Sequence, residues 1–365
     1  MNPLSKKIEA FGLDFSNQSI KLARLQKQGG RLNLSCFGRL ELPAGLIAEG
    51  RVLDEKKLAE QLKDFLNHLL TGSLNTNYVV CSLPEEKSFA DIFAMPIMQD
   101  KELKEAVLLE LENHIPVSAS EVYCDFQKRE VLANAKQQEV FIAATPKDIV
   151  EGYLRVLGLA GLIPVALEIE SLAVARALIE QAPGALATLI IDLGRHRSSS
   201  MIFALGGLRF TSDLAFSGRQ LTEVLQEKMK ITAQAAEELK IKEGLEGEEN
   251  IFQAMAPLAR SLVAQIKNHL EYFYSQRTAS EGLAGEKTKV ERILLAGEAA
   301  SLKGLVNLLS QNIGLNVELG NPWVNILKRP LKAVPLLPYE ESLSYAAALG
   351  LALRGVPQLT NRLLF

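Results

Sequence analysis

The 365-residue chain has no uninterrupted apolar run near the roughly 20 residues that a bilayer-spanning helix needs, so no segment is read as crossing a membrane. It has three cysteines, Cys36, Cys81 and Cys124, odd in number, far apart and never in a Cys-x-x-Cys pair. That excludes a disulfide framework and a zinc knuckle and fits a reduced, cytosolic compartment. His68, His114, His196 and His269 are equally scattered and read as core or surface filling. The formal charge of -3 supplies no field that would draw nucleic acid to the protein. Met1 to Ala10 has Lys6 and Lys7, but Glu9 follows and no apolar core develops, so a secretory signal is not expected. Neither a Gly-x-x-x-x-Gly-Lys-Ser/Thr loop nor a Gly-x-Gly-x-x-Gly fingerprint occurs, so a nucleotide, if bound, is held by another device.

What is present is a design used twice. Phe11 to Phe15 is an apolar strand that delivers Asp14 into the polar turn Ser16-Asn17-Gln18; Ser19 starts a return strand, and Gly29-Gly30 turns into a third. Half a chain later Ile190-Ile191-Asp192-Leu193-Gly194 runs into Arg195-His196-Arg197-Ser198-Ser199-Ser200, then Met201 to Leu205, then Gly206-Gly207. Two strand–Asp–turn–strand units predict a duplicated fold whose turns face each other across a cleft.

Between the copies the pattern changes. Asp54 is expected to cap a helix with Leu58, Leu62, Phe65, Leu66, Leu69 and Leu70 at helical spacing, closed by Thr71-Gly72 and followed by a buried strand Tyr78 to Leu83. From Pro84 to about residue 164 a small α+β insertion is predicted. In it Asp100 caps an amphipathic helix that stops at Pro116, Val122 to Val131 is extended with a turn at Asn134 to Gln138, and Thr145-Pro146-Lys147-Asp148 starts a second helix. Ser171 is expected to cap the helix from Leu172. In the second half Gly218 opens a helix, Thr232 to Lys240 forms another, Glu243 to Glu249 reads as a solvated turn, and a long helix begins at Pro257.

The chemistry follows from these turns. Backbone N–H groups exposed in a polar turn form a nest for anions, and two such nests suit phosphates. Asp14 and Asp192 stand where each strand enters its turn, positioned for Mg²⁺ through water, because Mg²⁺ keeps much of its hydration. Ser16, Asn17, Ser19, Ser198, Ser199 and Ser200 offer hydroxyl and amide partners, with Lys21 adding a point charge. Gly194, Arg195, His196 and Arg197 make the second turn basic, which suits phosphate and also suits a solvated loop. A lone Asp-Ser at a strand end is equally an ordinary turn; the in-register repeat is what favours a site. Ile293-Leu294-Leu295-Ala296-Gly297-Glu298-Ala299 is a strand, then small residues, then a helix, a connection that lets a flat adenine and ribose approach the backbone. Glu237 and Lys240 share one helix face and either reach a ribose or base edge or form a surface ion pair.

Phe11–Leu22, Ile190–Gly207 and Ile293–Ala299 resemble the phosphate-1, phosphate-2 and adenosine motifs of the actin/Hsp70/sugar-kinase ATPase superfamily, and Leu167–Ala177 and Ser344–Gly350 resemble its two connecting helices. More narrowly, Glu110–Gln127, Ala143–Lys147, Asn321-Pro322-Trp323 and Tyr345–Gly355 are similar to segments of the PilM family of type IV pilus assembly proteins, relatives of the division protein FtsA. The resemblance implies an α/β, actin-like ATPase fold with two lobes around a nucleotide cleft and an inserted small α+β subdomain. It implies subdomain 1A at 1–83 and 165–184 with helix 339–356 returning to it, subdomain 1C at 84–164, subdomain 2A at 185–229 and 288–338, and subdomain 2B at 230–287. It implies ATP and Mg²⁺ as cofactors. It also implies a PilN-like N-terminal peptide held in a groove between 1A and 1C, other pilus-platform or secretion-motor proteins as further partners, and a cytoplasmic place at the inner membrane through the partner. Homo-oligomerisation stays open. Ser16 and Glu298 stand where the family motifs usually have glycine. No residue that would orient an attacking water is identified, so at most slow ATPase activity is expected. A small-molecule kinase of the same fold and an FtsA-like membrane-tethered polymer are the alternatives; the tail Pro357 to Phe365 is short for the amphipathic helix of the latter.

Overall fold

The computed structural model describes residues 9–115, 117–128, 137–180, 186–279, 289–327 and 335–356. The expected helix stop at Pro116, most of the turn expected at Asn134 to Gln138, and the tail from Pro357 lie outside these. The chain divides into two compact units: Met1–Ala177 with Ile326–Pro335 and Ala347–Phe365, and Leu178–Asn325 with Leu336–Ala346. Among the described residues no helix is long and apolar enough to cross a membrane.

In the first unit β1 (Phe11–Phe15), β2 (Ser19–Gln28) and β3 (Arg31–Glu41) form an antiparallel meander. Gly29 and Gly30 turn at φ 58° and 78°, the conformation a two-residue hairpin needs. A short ribbon, β4 (Ile47–Ala48) and β5 (Arg51–Val52), precedes α1 (Glu55–Asn67). Asp54 caps α1 by accepting a hydrogen bond from the Lys57 N–H; the helix ends at Asn67, short of the expected Thr71-Gly72 close, with Leu70 exposed and Thr71 bonded to Phe37 of β3. Strand β6 (Tyr78–Leu83) then pairs parallel to β1.

The inserted layer has three strands. They are β7 (Phe89–Pro96), β8 (Val122–Lys128) and β9 (Gln137–Pro146), ordered β7-β9-β8, with α2 (Asp100–Glu112) between the first two in sequence. Gln99, not Asp100, is the N-cap of α2: Glu102 reaches back to the Gln99 N–H, while Asp100 is the first helical residue and pairs with Lys128. Phe93, Met95, Leu103, Val107, Leu111, Val140 and Ile142 give this layer its own core. Strand β9 extends through Thr145 to Pro146, so α3 (Lys147–Leu159) starts one residue after the proline; the Thr145 hydroxyl bonds Ser88 instead of capping. Strand β10 (Ile163–Ile169) returns to the main sheet beside β6, completing the order β10-β6-β1-β2-β3, and α4 (Glu170–Leu178) follows without a break. Ser171 therefore lies inside α4, its own N–H donating to Glu85.

The second unit repeats the meander with β11 (Thr188–Leu193), β12 (Ser198–Ala204) and β13 (Gly207–Leu214). Its turn is Leu205-Gly206, one residue before the expected Gly-Gly, and Leu205 takes φ 52°, rare for a side chain of this size. Helices α5 (Gly218–Met229), α6 (Ala233–Glu243) and α7 (Glu249–Ala279) follow. α7 begins eight residues before the expected start at Pro257, which sits inside it. Ile251, Ala254 and Met255 are buried in the unit's core, and that burial outweighs the hydrogen bond the proline forfeits. Strand β14 (Arg292–Ala296), α8 (Leu305–Ile313) and β15 (Asn316–Leu319) complete the sheet order β13-β12-β11-β14-β15. Helix α9 (Tyr339–Ser342) closes this unit. The last helix, α10 (Ala346–Arg354), lies in the first unit, where a Cβ on Gly12 would come within 2.2 Å of the Ala348 carbonyl oxygen.

Candidate functional site

In the first unit the acidic turn is built tightly. Asp14 is on β1 opposite Lys21 of β2 and is buried. The Ser82 hydroxyl accepts the Phe15 N–H at 2.9 Å and donates to the Asp14 carboxylate. The other carboxylate oxygen, Oδ1, is buried without a partner among the described residues. Burial pushes the Asp14 carboxyl up from its ordinary range, against the opposing pull of Lys21 and Ser82. An orphaned buried carboxylate oxygen suits a cation or a water held by one.

The rest of this turn is occupied with itself. Ser16 and Ser19 hydroxyls lie 2.9 Å apart, and the Ser19 N–H donates to Ser16 Oγ at 3.0 Å. The Asn17 carboxamide oxygen accepts the Gly50 N–H at 3.0 Å, tying the turn to the β4–β5 ribbon. These bonds fix the loop's shape and leave it as a backbone nest.

In the second unit Asp192, next to last in β11, lies beside Gly297, which follows β14. Gly297 is at φ +88°, and a Cβ there would fall 2.4 Å from Asp192 Oδ1 and 2.4 Å from the Leu193 carbonyl oxygen, so only glycine fits. The Ala299 N–H donates to the Leu193 carbonyl, bringing the Gly297-Glu298-Ala299 connection against the Asp192 turn. Gly194 and Arg195 carbonyls accept the Gly218 and Arg219 N–H groups, so the start of α5 docks on the same turn. Ser198 is buried, with its hydroxyl oxygen unpartnered among the described residues. Arg197 is paired with Asp213. Arg195 is exposed and lends its charge to Glu237.

Glu237 and Lys240 belong to this cluster, but not as a plain surface pair. The Lys240 ammonium donates to the Gly218 carbonyl at 3.1 Å, to Thr222 Oγ1 at 3.0 Å and to Glu237 Oε2 at 2.7 Å. All its protons are spent inside the protein, fastening α6 to α5. Glu237 is the half-exposed partner. Partial burial pushes its carboxyl up, but the bonds from Lys240 and Thr222 and the nearby positive charges outweigh this and hold it below the ordinary value, hence ionised.

A cavity lies wholly in the first unit. It has a volume of about 410 Å³ and runs between the inserted layer and the main sheet, along Tyr123 to Gln127 of β8, past Phe141 of β9 and Leu154 of α3, to Leu167–Ile169 of β10. Both β8 and β10 are terminal strands of their sheets. Glu168 and Arg354 lie at its wall. Glu168 is buried and grips Arg176, whose NH2 reaches Oε2 at 2.9 Å, and also Arg354. Burial pushes the Glu168 carboxyl up, but the two guanidinium groups outweigh it and hold it below the usual carboxylate range.

The sequence profile of the family described as "Type IV pilus assembly protein PilM" matches residues 12–356. The chain belongs to the PilM family. A solved structure, that of a "PilM-PilN type IV pilus biogenesis complex", is 30% identical at TM-score 0.79, covering 96% of this chain and 99% of that one. The fold is also that of the ethanolamine utilization protein EutJ from Carboxydothermus hydrogenoformans (16% identity, TM-score 0.54, 96% and 91% coverage). It is shared again by MreB 5 of Spiroplasma citri bound to AMPPNP (11%, TM-score 0.52, 98% and 98%). This PilM-family chain therefore has the actin-like ATPase fold expected from its motifs.

Sequence reading named Asp14, Asp192, the Gly297 connection, Glu237 and Lys240 as candidates. It did not single out Ser82, which bonds Asp14, or Thr222, which bonds Glu237 and Lys240, or the side chains that line the β8–β10 cavity. Ser82 had a signal, being the only side-chain hydroxyl between Val79 and Leu83 of an otherwise apolar strand. Thr222 had none, because its contact with Lys240 spans two helices.

Proposed function

We propose that this PilM-family chain is a cytoplasmic, ATP-binding scaffold of a type IV pilus inner-membrane platform, and that it holds the N-terminal peptide of a PilN-like membrane protein in the β8–β10 cavity. The cavity is the observation that carries the reading. Its walls are largely apolar, and it is bordered by the terminal strands of two sheets, an arrangement that receives an extended peptide through main-chain hydrogen bonds while alternate side chains enter pockets. The partner is suggested by the 30% identical structure, which is a complex of PilM with PilN. Through that partner the protein would sit at the inner membrane.

ATP is proposed as the nucleotide because the fold is shared with an MreB bound to AMPPNP and, among the described residues, the two acidic turns keep unpartnered buried oxygens at Asp14 and Ser198. Asp14 and Asp192 would face Mg²⁺ through its water, the turn amides with Arg195, His196 and Lys21 would hold phosphate, and Gly297–Ala299 with Glu237 would flank the adenosine. Bound Mg²⁺ would supply charge neutralisation of the phosphates. Among the described residues no three His, Cys, Asp or Glu side chains gather as a metal cluster, which suits a cation that keeps its water and the phosphates as ligands. Glu168, the buried acid nearest the first connection, is committed to two arginines and is not placed to activate water. The nucleotide thus acts as a structural ligand.

Calorimetry of the purified chain against a synthetic PilN-type N-terminal peptide, and separately against ATP·Mg²⁺, tests this. Both should bind. Phe141→Glu, which puts a carboxylate in the cavity, should abolish peptide binding and leave ATP binding intact. Absence of binding to either ligand overturns the reading.

A further inference from the structure

The β8–β10 cavity is apolar along most of its length, and at one wall it meets a guanidinium. Arg354 ends α10, and its side chain is about a quarter exposed, at 27%. One of its nitrogens is held by Glu168; among the described residues this is its single partner, so the remaining N–H groups are open to the cavity. Glu168 in turn is locked by Arg176, which also donates to the Gly350 carbonyl of α10 at 3.2 Å. The three side chains thus bind β10, α4 and α10 into one rigid piece. One carboxylate serves two guanidinium groups, so this triad carries one net positive charge, while Asp125 of β8 adds a carboxylate elsewhere in the lining. A guanidinium already fixed on one side loses little rotamer freedom when a ligand arrives, and it presents several donors in one plane to an acceptor.

Resting on the peptide-groove reading above, we propose that Arg354 is the specificity-determining residue of that groove. It takes an acceptor oxygen of the bound peptide, from either a side-chain carboxylate or an amide carbonyl, while Glu168 and Arg176 act as positioning residues that aim it. The apolar walls then fix where apolar side chains enter, and Arg354 fixes the register, because an apolar groove by itself tolerates sliding by two residues along an extended chain.

The test uses the full chain, the same synthetic PilN-type peptide, and calorimetry at low and high salt, with thermal unfolding of each variant. Arg354→Met should weaken peptide binding by about tenfold or more with ATP affinity and melting temperature near those of the parent. Arg354→Lys, which keeps a positive charge beside Glu168, should still lose about threefold or more because the planar fork is gone. Salt sensitivity of the parent complex that disappears in Arg354→Met identifies a carboxylate partner; an equal loss at both salts identifies an amide. If both Arg354 variants bind the peptide like the parent while Phe141→Glu does not, the inference falls and the groove survives. If Phe141→Glu also binds like the parent, the groove reading itself falls.

Discussion

Asp14 is a carboxylate placed where apo protein gains nothing from its charge. Its folded pKa lies above the ordinary value, so the native state binds the proton more tightly than the unfolded chain, and stability contributed by this group is lost as pH rises through that interval. Asp14→Asn should therefore melt about 2–4 °C higher than the parent without ligand at pH 7, converge with it near about pH 4, and lose the stabilisation that Mg²⁺·ATP confers. A thermal scan at the two pH values, with and without nucleotide, checks all three. Glu168 has the opposite sign. Its folded pKa is depressed, so its stabilisation is present above the ordinary carboxylate value and is lost as pH falls through the folded one. Glu168→Gln leaves two guanidinium groups without their counter-charge; roughly 3–5 kcal/mol should be lost at neutral pH. In urea melts the variant should show less weakening on acidification than the parent.

At the scale of elements, α7 carries the clearest conflict between local preference and packing. Pro257 removes one helical hydrogen bond, yet the helix continues through it because residues on both sides are buried. The proline itself is exposed, so Pro257→Ala sacrifices no core and should raise the denaturant midpoint by the equivalent of about 1–3 kcal/mol. An unchanged midpoint would show that the backbone is already relaxed around the ring. The caps expected at Thr145 and Ser171 were displaced for a common reason. Capping residues are frequent in turns, and which one caps depends on where the preceding strand stops. Strand β9 runs on to Pro146 because its neighbours stay paired with it, β7 as far as Ala144 and β8 as far as Pro146, and β10 passes directly into α4. Asp54, Thr232 and Gly218 stood next to short loops, and there local chemistry agreed with the outcome.

For the whole molecule the expectation is linkage. A ligand that binds only the folded chain at 100 times its dissociation constant adds about 2.7 kcal/mol. ATP with Mg²⁺ should raise the melting temperature by several degrees, and EDTA should remove most of that rise, since the turns offer backbone amides and few direct metal ligands. The PilN-type peptide should protect the amides of β8 and β10 from hydrogen exchange. Protection confined to the outer face of α2 would place the peptide elsewhere.

The repeated strand–Asp–turn pattern, the two hairpins and the insertion were legible in the sequence because each rests on short-range rules: alternation, glycine at positive φ, and apolar strands too short for helices. So was the family, from short contiguous segments such as Glu110–Gln127 and Tyr345–Gly355 beside the strand–turn motifs. Tertiary structure alone decided that Lys240 spends its donors on α5, that Ser82 holds Asp14, that α7 tolerates a proline, and that Glu168, Arg176 and Arg354, far apart in the chain, meet at one wall of the β8–β10 cavity. Those are contacts between elements, and their energy depends on burial and on which polar atoms remain unsatisfied, quantities that exist only once the sheets have closed on their helices.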